Sequence, residues 1–282
     1  MNDTSKLSRR ALLGAALAAP LAAWAQTRTF PTRPVRFIVP FAPGSNTDTL
    51  ARLYGKAFSE KSGQPVVIEN KSGGNGIPAV QAALAAPADG YTVFFSSNST
   101  LTTNAAIFRK LPYDPLADFA PVTLVGGQYL AVIVPANSPH KTLADLLADA
   151  RKRPGALNHA AGSPSYALWS AWLNEIAHIK TTNIMYKGAG DVFTAVAGGQ
   201  VDYAIVDASA SSEQVKGGRM RALAYTGEER YAPLPGVPTM AEASVPGFNP
   251  MAWSGVAVAA KTPPAVQQEL RHCFAPQRIR TK

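Results

Sequence analysis

Two short stretches carry residue types that could grip an anion. Residues 34–48 read Pro-Val-Arg-Phe-Ile-Val-Pro-Phe-Ala-Pro-Gly-Ser-Asn-Thr-Asp, and residues 186–191 read Tyr-Lys-Gly-Ala-Gly-Asp. Each is an apolar run that turns through glycine and opens into a predicted helix. Such a turn aims free backbone N–H groups, and the positive end of the helix dipole, at one point. Two such turns far apart in one chain imply a cleft that closes on a small carboxylate. The plain alternative for the first turn is a helix entry alone, since Ser45, Asn46 and Thr47 are ordinary capping types.

Other residues bear on the same chemistry. Ser97, Asn98, Ser99 and Thr100 form a polar run at a predicted strand end, read either as a second set of donors or as a surface loop. Lys187 could pair with a carboxylate or stay solvated, and the amides of Gly188 and Gly190 permit closer approach. Tyr166 and Trp169 could stack on an aromatic acid or pack in the core. Asp207 would repel a carboxylate unless it met an ammonium group or a backbone N–H, so it reads as a neighbour of the site or an amine anchor.

Reactive chemistry is poorly supported. Gly162-Ser163-Pro164-Ser165-Tyr166 lacks the final glycine of a nucleophile elbow, and no histidine–acid pair is evident. Gly73-Gly74-Asn75-Gly76 lacks the Gly-Lys-Ser/Thr end of a phosphate loop and reads as a turn. Four histidines without ligand spacing argue against zinc, and a single cysteine, Cys273, excludes an intramolecular disulfide. The expectation is no enzyme, no cofactor and no metal.

These groups need strands and helices to hold them. Strands are predicted at 35–39, 65–69, 92–96, 157–160, 183–186, 201–206 and 221–225, alternating with helical patterns. The first helix runs to about Ser62, capped by Thr47 or Asp48. The alternation implies two sets of parallel α/β structure, joined by extended apolar segments at Leu130–Val134 and Trp253–Val258. Ligands of such sheets sit beyond the carboxyl ends of the strands, where the polar turns lie.

The bulk numbers fit. The chain has 282 residues, 46% hydrophobic and 16% charged, enough for two medium domains with cores. Lys6, Arg9 and Arg10 precede an apolar run to Ala23, and Ala23-Trp24-Ala25 is a small-x-small exit, so residues 1–25 read as an export signal. Ser8-Arg9-Arg10 allows either a twin-arginine or a plain secretory signal. Loss of three bases and one acid with it would take the formal charge from +9 to +7. Export makes nucleic acid an improbable partner, and the excess charge reads as a solvated surface with a mild bias toward anions.

Taken together, the motifs resemble the Bug family of periplasmic solute-binding proteins, the capture subunits of tripartite tricarboxylate transporters. The resemblance rests on residues 39–44 with Asp48, Glu69-Asn70-Lys71, Asp89-Gly90-Tyr91-Thr92, Leu111-Pro112-Tyr113-Asp114-Pro115, Tyr186-Lys187-Gly188-Ala189-Gly190, Gly198-Gly199-Gln200-Val201-Asp202 and Leu234-Pro235-Gly236-Val237-Pro238-Thr239. It covers roughly residues 31–268. It implies an α/β, two-lobed, type II periplasmic binding fold, two Rossmann-like domains joined by a hinge. Lobe 1 would hold residues 26–130 and 254–282, and lobe 2 residues 131–253.

The resemblance also implies the site. Ala42, Pro43, Gly44, Ser45, Asn46 and Thr47 would form one clamp, and Ser97, Asn98 and Ser99 a second. Ser163, Ser165 and Tyr166, with Lys187, Gly188, Ala189 and Gly190, would face them, and Asp207 would border the cleft. The implied partners are a small carboxylate and a membrane permease, with the protein a periplasmic monomer. A sensor subunit for a membrane kinase is the alternative on the same fold.

Two departures stand out. The stretch from Gly162 to Trp169 is shorter and more aromatic than the family's usual Gly-Ser-x-Gly-x-Gly-Thr loop. Residues 271–282 show no helical apolar stripe where family members continue for a few dozen residues. The expectation is a truncated C-terminus, costing the first lobe several kcal/mol of a typical reserve of ~5–15 kcal/mol, and a truncated product with impaired binding is a further alternative to carboxylate capture.

Overall fold

Strands and helices alternate as expected, but the sheet they build is mixed. The computed structural model describes residues 30–275. Readings that fall on the export signal and on residues 276–282 lie outside the described residues. The strands are β1 (Val35–Val39), β2 (Val66–Asn70), β3 (Thr92–Ser97), β4 (Phe119–Pro135), β5 (Asn158–Ala161), β6 (Thr182–Met185), β7 (Tyr203–Asp207), β8 (Met220–Tyr225) and β9 (Met251–Ala259). The helices are α1 (Asn46–Ser62), α2 (Ile77–Leu84), α3 (Asn104–Ile107), α4 (Leu143–Lys152), α5 (Pro164–Ala177), α6 (Ala189–Ala197), α7 (Ala208–Lys216) and α8 (Pro264–Phe274).

The strand order is β2-β1-β3-β9-β4-β7-β5-β6, with β8 also paired to β4. Within β1–β3 and within β5–β7 the pairing is parallel, as expected of βαβ units. The purely parallel sheets inferred from the sequence are corrected by β4 and β9. Both run antiparallel to the strands they pair with, β9 to β3 and β4, and β4 to β7 and β8. β4 is also far longer than the apolar run at Leu130–Val134. Its first part pairs β9 from Phe119 to Tyr129, and its last part pairs β7 and β8 from Leu130 onward. Pro121, Gly126 and Gly127 hide that first part from a propensity reading. The register shifts beside Pro121 and Gly126, where bulges absorb them.

Each half of the sheet has apolar layers on both faces. In the N-terminal half, Phe37, Phe58 and Phe95 pack on one face, and Ile38, Phe94 and Phe119 on the other. In the C-terminal half, Leu130, Val132, Leu146, Leu173 and Phe248 oppose a layer around Ile133, Val192 and Val206. The expectation of no apolar stripe beyond Arg271 is corrected within the described residues. Phe274 falls one helical turn after Leu270, and both are buried against the N-terminal core. The Phe274 ring stacks on Phe37 with centroids 5.5 Å apart.

Candidate binding site

The loop after β1 is braced from beneath. The cap of α1 is Ser45, not Thr47 or Asp48, and its Oγ accepts from the Asp48 N–H at 3.3 Å. Asp48 instead turns under the loop and is 2% exposed. Its carboxylate accepts from the Gly44 N–H at 2.9 Å, from Asn70 Nδ2 at 2.9 Å, and from Arg52 Nε and Nη2 at 2.9 and 3.0 Å. Burial raises the Asp48 pKa, but these donors outweigh it and the net shift is downward. Asn70 also donates to the Phe41 carbonyl at 2.9 Å, tying the loop to β2. The Gly44 amide is therefore occupied, which corrects its reading as a donor to a ligand.

Above this brace lies a cavity of about 50 Å³ between the two halves of the sheet. From the N-terminal half it is lined by Ser45–Thr47, by Ser97–Ser99 at the end of β3, and by Phe41. From the C-terminal half come Gly162, Ser163, Ser165, Tyr166 and Trp169 around the start of α5, Gly188 and Ala189 at the start of α6, and Asp207 before α7. The two long strands add Gln128 from β4 and Ala252, Trp253 and Ser254 from β9. Four helix starts, those of α1, α5, α6 and α7, thus meet here with the helical turn Ser99–Thr103. The first-turn N–H groups of these segments have no acceptor within their own helices. None of the described lining residues is Lys, Arg or His.

A close backbone approach brings α6 in. A Cβ on Gly162 would lie 3.1 Å from the Gly188 carbonyl carbon, so any larger residue there would push this backbone turn away by a few tenths of an ångström. Hydroxyls then join the two halves. Ser99 Oγ is 3.0 Å from Ser163 Oγ and donates to Ser165 Oγ at 2.9 Å, and Thr103 Oγ1 is 2.7 Å from Ser165 Oγ.

Polar atoms in the wall are unevenly satisfied. The Tyr166 hydroxyl donates to Asp207 Oδ1 at 2.6 Å. Burial pushes the Asp207 carboxyl up to about 6, against the opposing pull of Tyr166 and Gln128. The same burial, with the Asp207 charge beside it, pushes the Tyr166 phenol well above its ordinary value. The Gln128 amide approaches Asp207, yet its buried Nε2 makes no hydrogen bond of ordinary geometry among the described residues. Ser97 Oγ is also buried and has no partner among the described residues.

The sequence-derived residues divide accordingly. Ser45, Asn46, Thr47, Ser97, Asn98, Ser99, Ser163, Ser165, Tyr166, Gly188, Ala189 and Asp207 line the cavity. Ala42, Pro43, Gly44 and Gly190 are not part of its wall, and Lys187 instead lines an adjoining groove with Pro40, Phe41, Gly74 and Asp191. Gln128, Ala252, Trp253 and Ser254 were not foreseen as wall residues. They sit on β4 and β9, whose apolar segments in the sequence point to extended joins between the two sets and not to a binding wall. Thr103 lies beyond the polar run at 97–100 and was not foreseen; the segment winds into a helical turn that presents Ser99 and Thr103 to one side.

A family profile described as tripartite tricarboxylate transporter family receptor matches residues 50–278. The chain belongs to that family. This receptor is 35% identical to the protein BugT of Bordetella pertussis over 261 residues, covering 89% of this chain and 77% of BugT. It superposes on an R. palustris protein solved with adipate with a TM-score of 0.83 and 34% identity, covering 87% of this chain and 83% of the other. MatC from Rhodopseudomonas palustris with bound malate gives a TM-score of 0.82 and 31% identity, covering 87% and 84%. The Bug-family resemblance and the α/β periplasmic binding protein-like fold are borne out.

Proposed function

We propose that this receptor captures a small carboxylate in the periplasm and hands it to a membrane permease of the tripartite tricarboxylate type. The reading rests on one observation: helix starts from both halves converge on a cavity whose described lining has no basic side chain. Main-chain N–H groups and small hydroxyls are the donors such a site offers, and a carboxylate is the simplest group that uses several at once. Each charge-assisted bond contributes ~1.5–3 kcal/mol. Four or five of them, less the cost of ordering, suffice for micromolar affinity at about 8 kcal/mol. The adipate and malate bound by two structural relatives support the class.

Capture works by closure. β4 and β9 run between the halves and are the hinge, with the described residues up to 130 and from 254 onward forming one lobe and 131–253 the other. Residues 1–25 direct export, and the protein acts as a monomer without turnover. Isothermal titration with mono-, di- and tricarboxylates, amino acids and aromatic acids tests the reading. A one-to-one isotherm with at least one carboxylate is expected. Folded protein that binds none of them would overturn it.

A further inference from the structure

We propose that the cavity selects an aromatic monocarboxylate, one six-membered ring bearing a single carboxyl group, over aliphatic di- and tricarboxylates. This rests on the carboxylate-capture reading and narrows it.

The wall is chemically divided. Donors come from the first turn of α1, from Ser97 and from the starts of α5 and α6. Ser97 is 4% exposed, and its Oγ is a buried hydroxyl with no partner among the described residues. Such a group is costly to leave unpaired, and a ligand carboxylate would satisfy it. The body of the ligand meets different surroundings: Phe41, Tyr166, Trp169, Ala252 and Trp253. The Tyr166 and Trp169 rings stand perpendicular, 87° apart with centroids at 5.0 Å, and together present a face and an edge. The Tyr166 hydroxyl is fixed on Asp207, so this aromatic corner is held before a ligand arrives. A flat ring matches it by stacking and edge contacts, which a flexible alkyl chain cannot reproduce.

Charge excludes the alternative. Asp207 is the only carboxylate in the described wall, and no Lys, Arg or His offsets it. A second ligand carboxylate would be desolvated in a wall that already holds an acid.

The test is isothermal titration of the exported chain with benzoate, cyclohexanecarboxylate, butyrate, succinate, adipate and citrate near neutral pH. Benzoate is expected to bind at least about tenfold tighter than cyclohexanecarboxylate, succinate or adipate. Trp169→Leu is expected to lower benzoate affinity by about tenfold while changing butyrate by less than about threefold. Should that variant fail to fold, saturation transfer between Trp169 and the benzoate ring protons in the unaltered protein carries the same information. Succinate or adipate binding as tightly as benzoate would overturn the selectivity and leave carboxylate capture standing. Absence of binding by every acid in the series would overturn both.

Discussion

Ser99 and Ser165 are hydrogen-bonded across the cleft at 2.9 Å, although 66 positions separate them in the sequence. Ser165 also meets Thr103, and Ser99 also meets Ser163, so four small hydroxyls clasp the two halves beside the cavity. Each such bond contributes a net ~0.5–1.5 kcal/mol, and Ser165→Ala removes two of them. The variant is expected to favour a more open ligand-free state and to lose about tenfold in ligand affinity. Small-angle scattering and titration check this, and an unchanged radius of gyration together with unchanged affinity would show that the clasp does not govern closure.

Ser97 should separate stability from function. Its buried Oγ has no partner among the described residues, so Ser97→Ala removes a desolvation cost and is expected to stabilise the ligand-free fold by about 1 kcal/mol. The same substitution is expected to weaken carboxylate binding by about tenfold. Urea unfolding and titration on one preparation measure both, and a variant that is less stable yet binds normally would remove Ser97 from the site.

Two buried titratable groups pull stability in opposite directions with pH. Asp207 titrates at about 6 rather than 3.8 because burial disfavours its charge. Between those values the folded state holds a proton that the unfolded state has lost. The stability associated with Asp207 is therefore present at low pH and disappears as pH rises through about 6. His159 titrates at about 4 rather than 6.5, again through burial, against an opposing hydrogen bond to Asn183. Its Nε2 accepts from the Ile205 N–H at 3.2 Å, which requires the neutral ring. Here the unfolded state holds the extra proton, so stability is lost as pH falls from about 6.5 toward 4. Each effect is on the order of 3 kcal/mol, and they largely cancel between pH 4 and 6. Asp207→Asn leaves the His159 effect alone. Its urea midpoint is expected to gain on that of the unaltered protein as pH rises through this window, and parallel profiles would refute the assignment.

Phe274 anchors α8 in the N-terminal core against Phe37, Phe58 and Phe95. Truncation to alanine is expected to cost about 3–5 kcal/mol and to lower the melting temperature by about 10 °C. Calorimetry reads the loss, and a shift of about 2 °C or less would mean that the ring is dispensable there.

The local signals were legible because they are written in neighbouring residues. Apolar runs ending in polar turns marked β1, β3, β5 and β7, and the glycine turns at Gly44 and Gly188 announced the helix starts that follow. Backbone N–H groups at those starts were inferable from chain direction alone, since every first turn leaves donors free.

Tertiary structure decided which of those donors face the cavity. The Gly44 amide is consumed by Asp48, four residues on, because that carboxylate is also held by Asn70 from β2. Gln128 and Trp253 reach the wall through two strands that pair with each other and run between the halves. Partnership of this kind, and the burial that raises Asp207, depends on which distant segments pack together. Short-range periodicity carries the direction and burial of each element. The choice of which strand lies beside which, and hence which polar groups share one dry space, is fixed only when the whole sheet closes its cores.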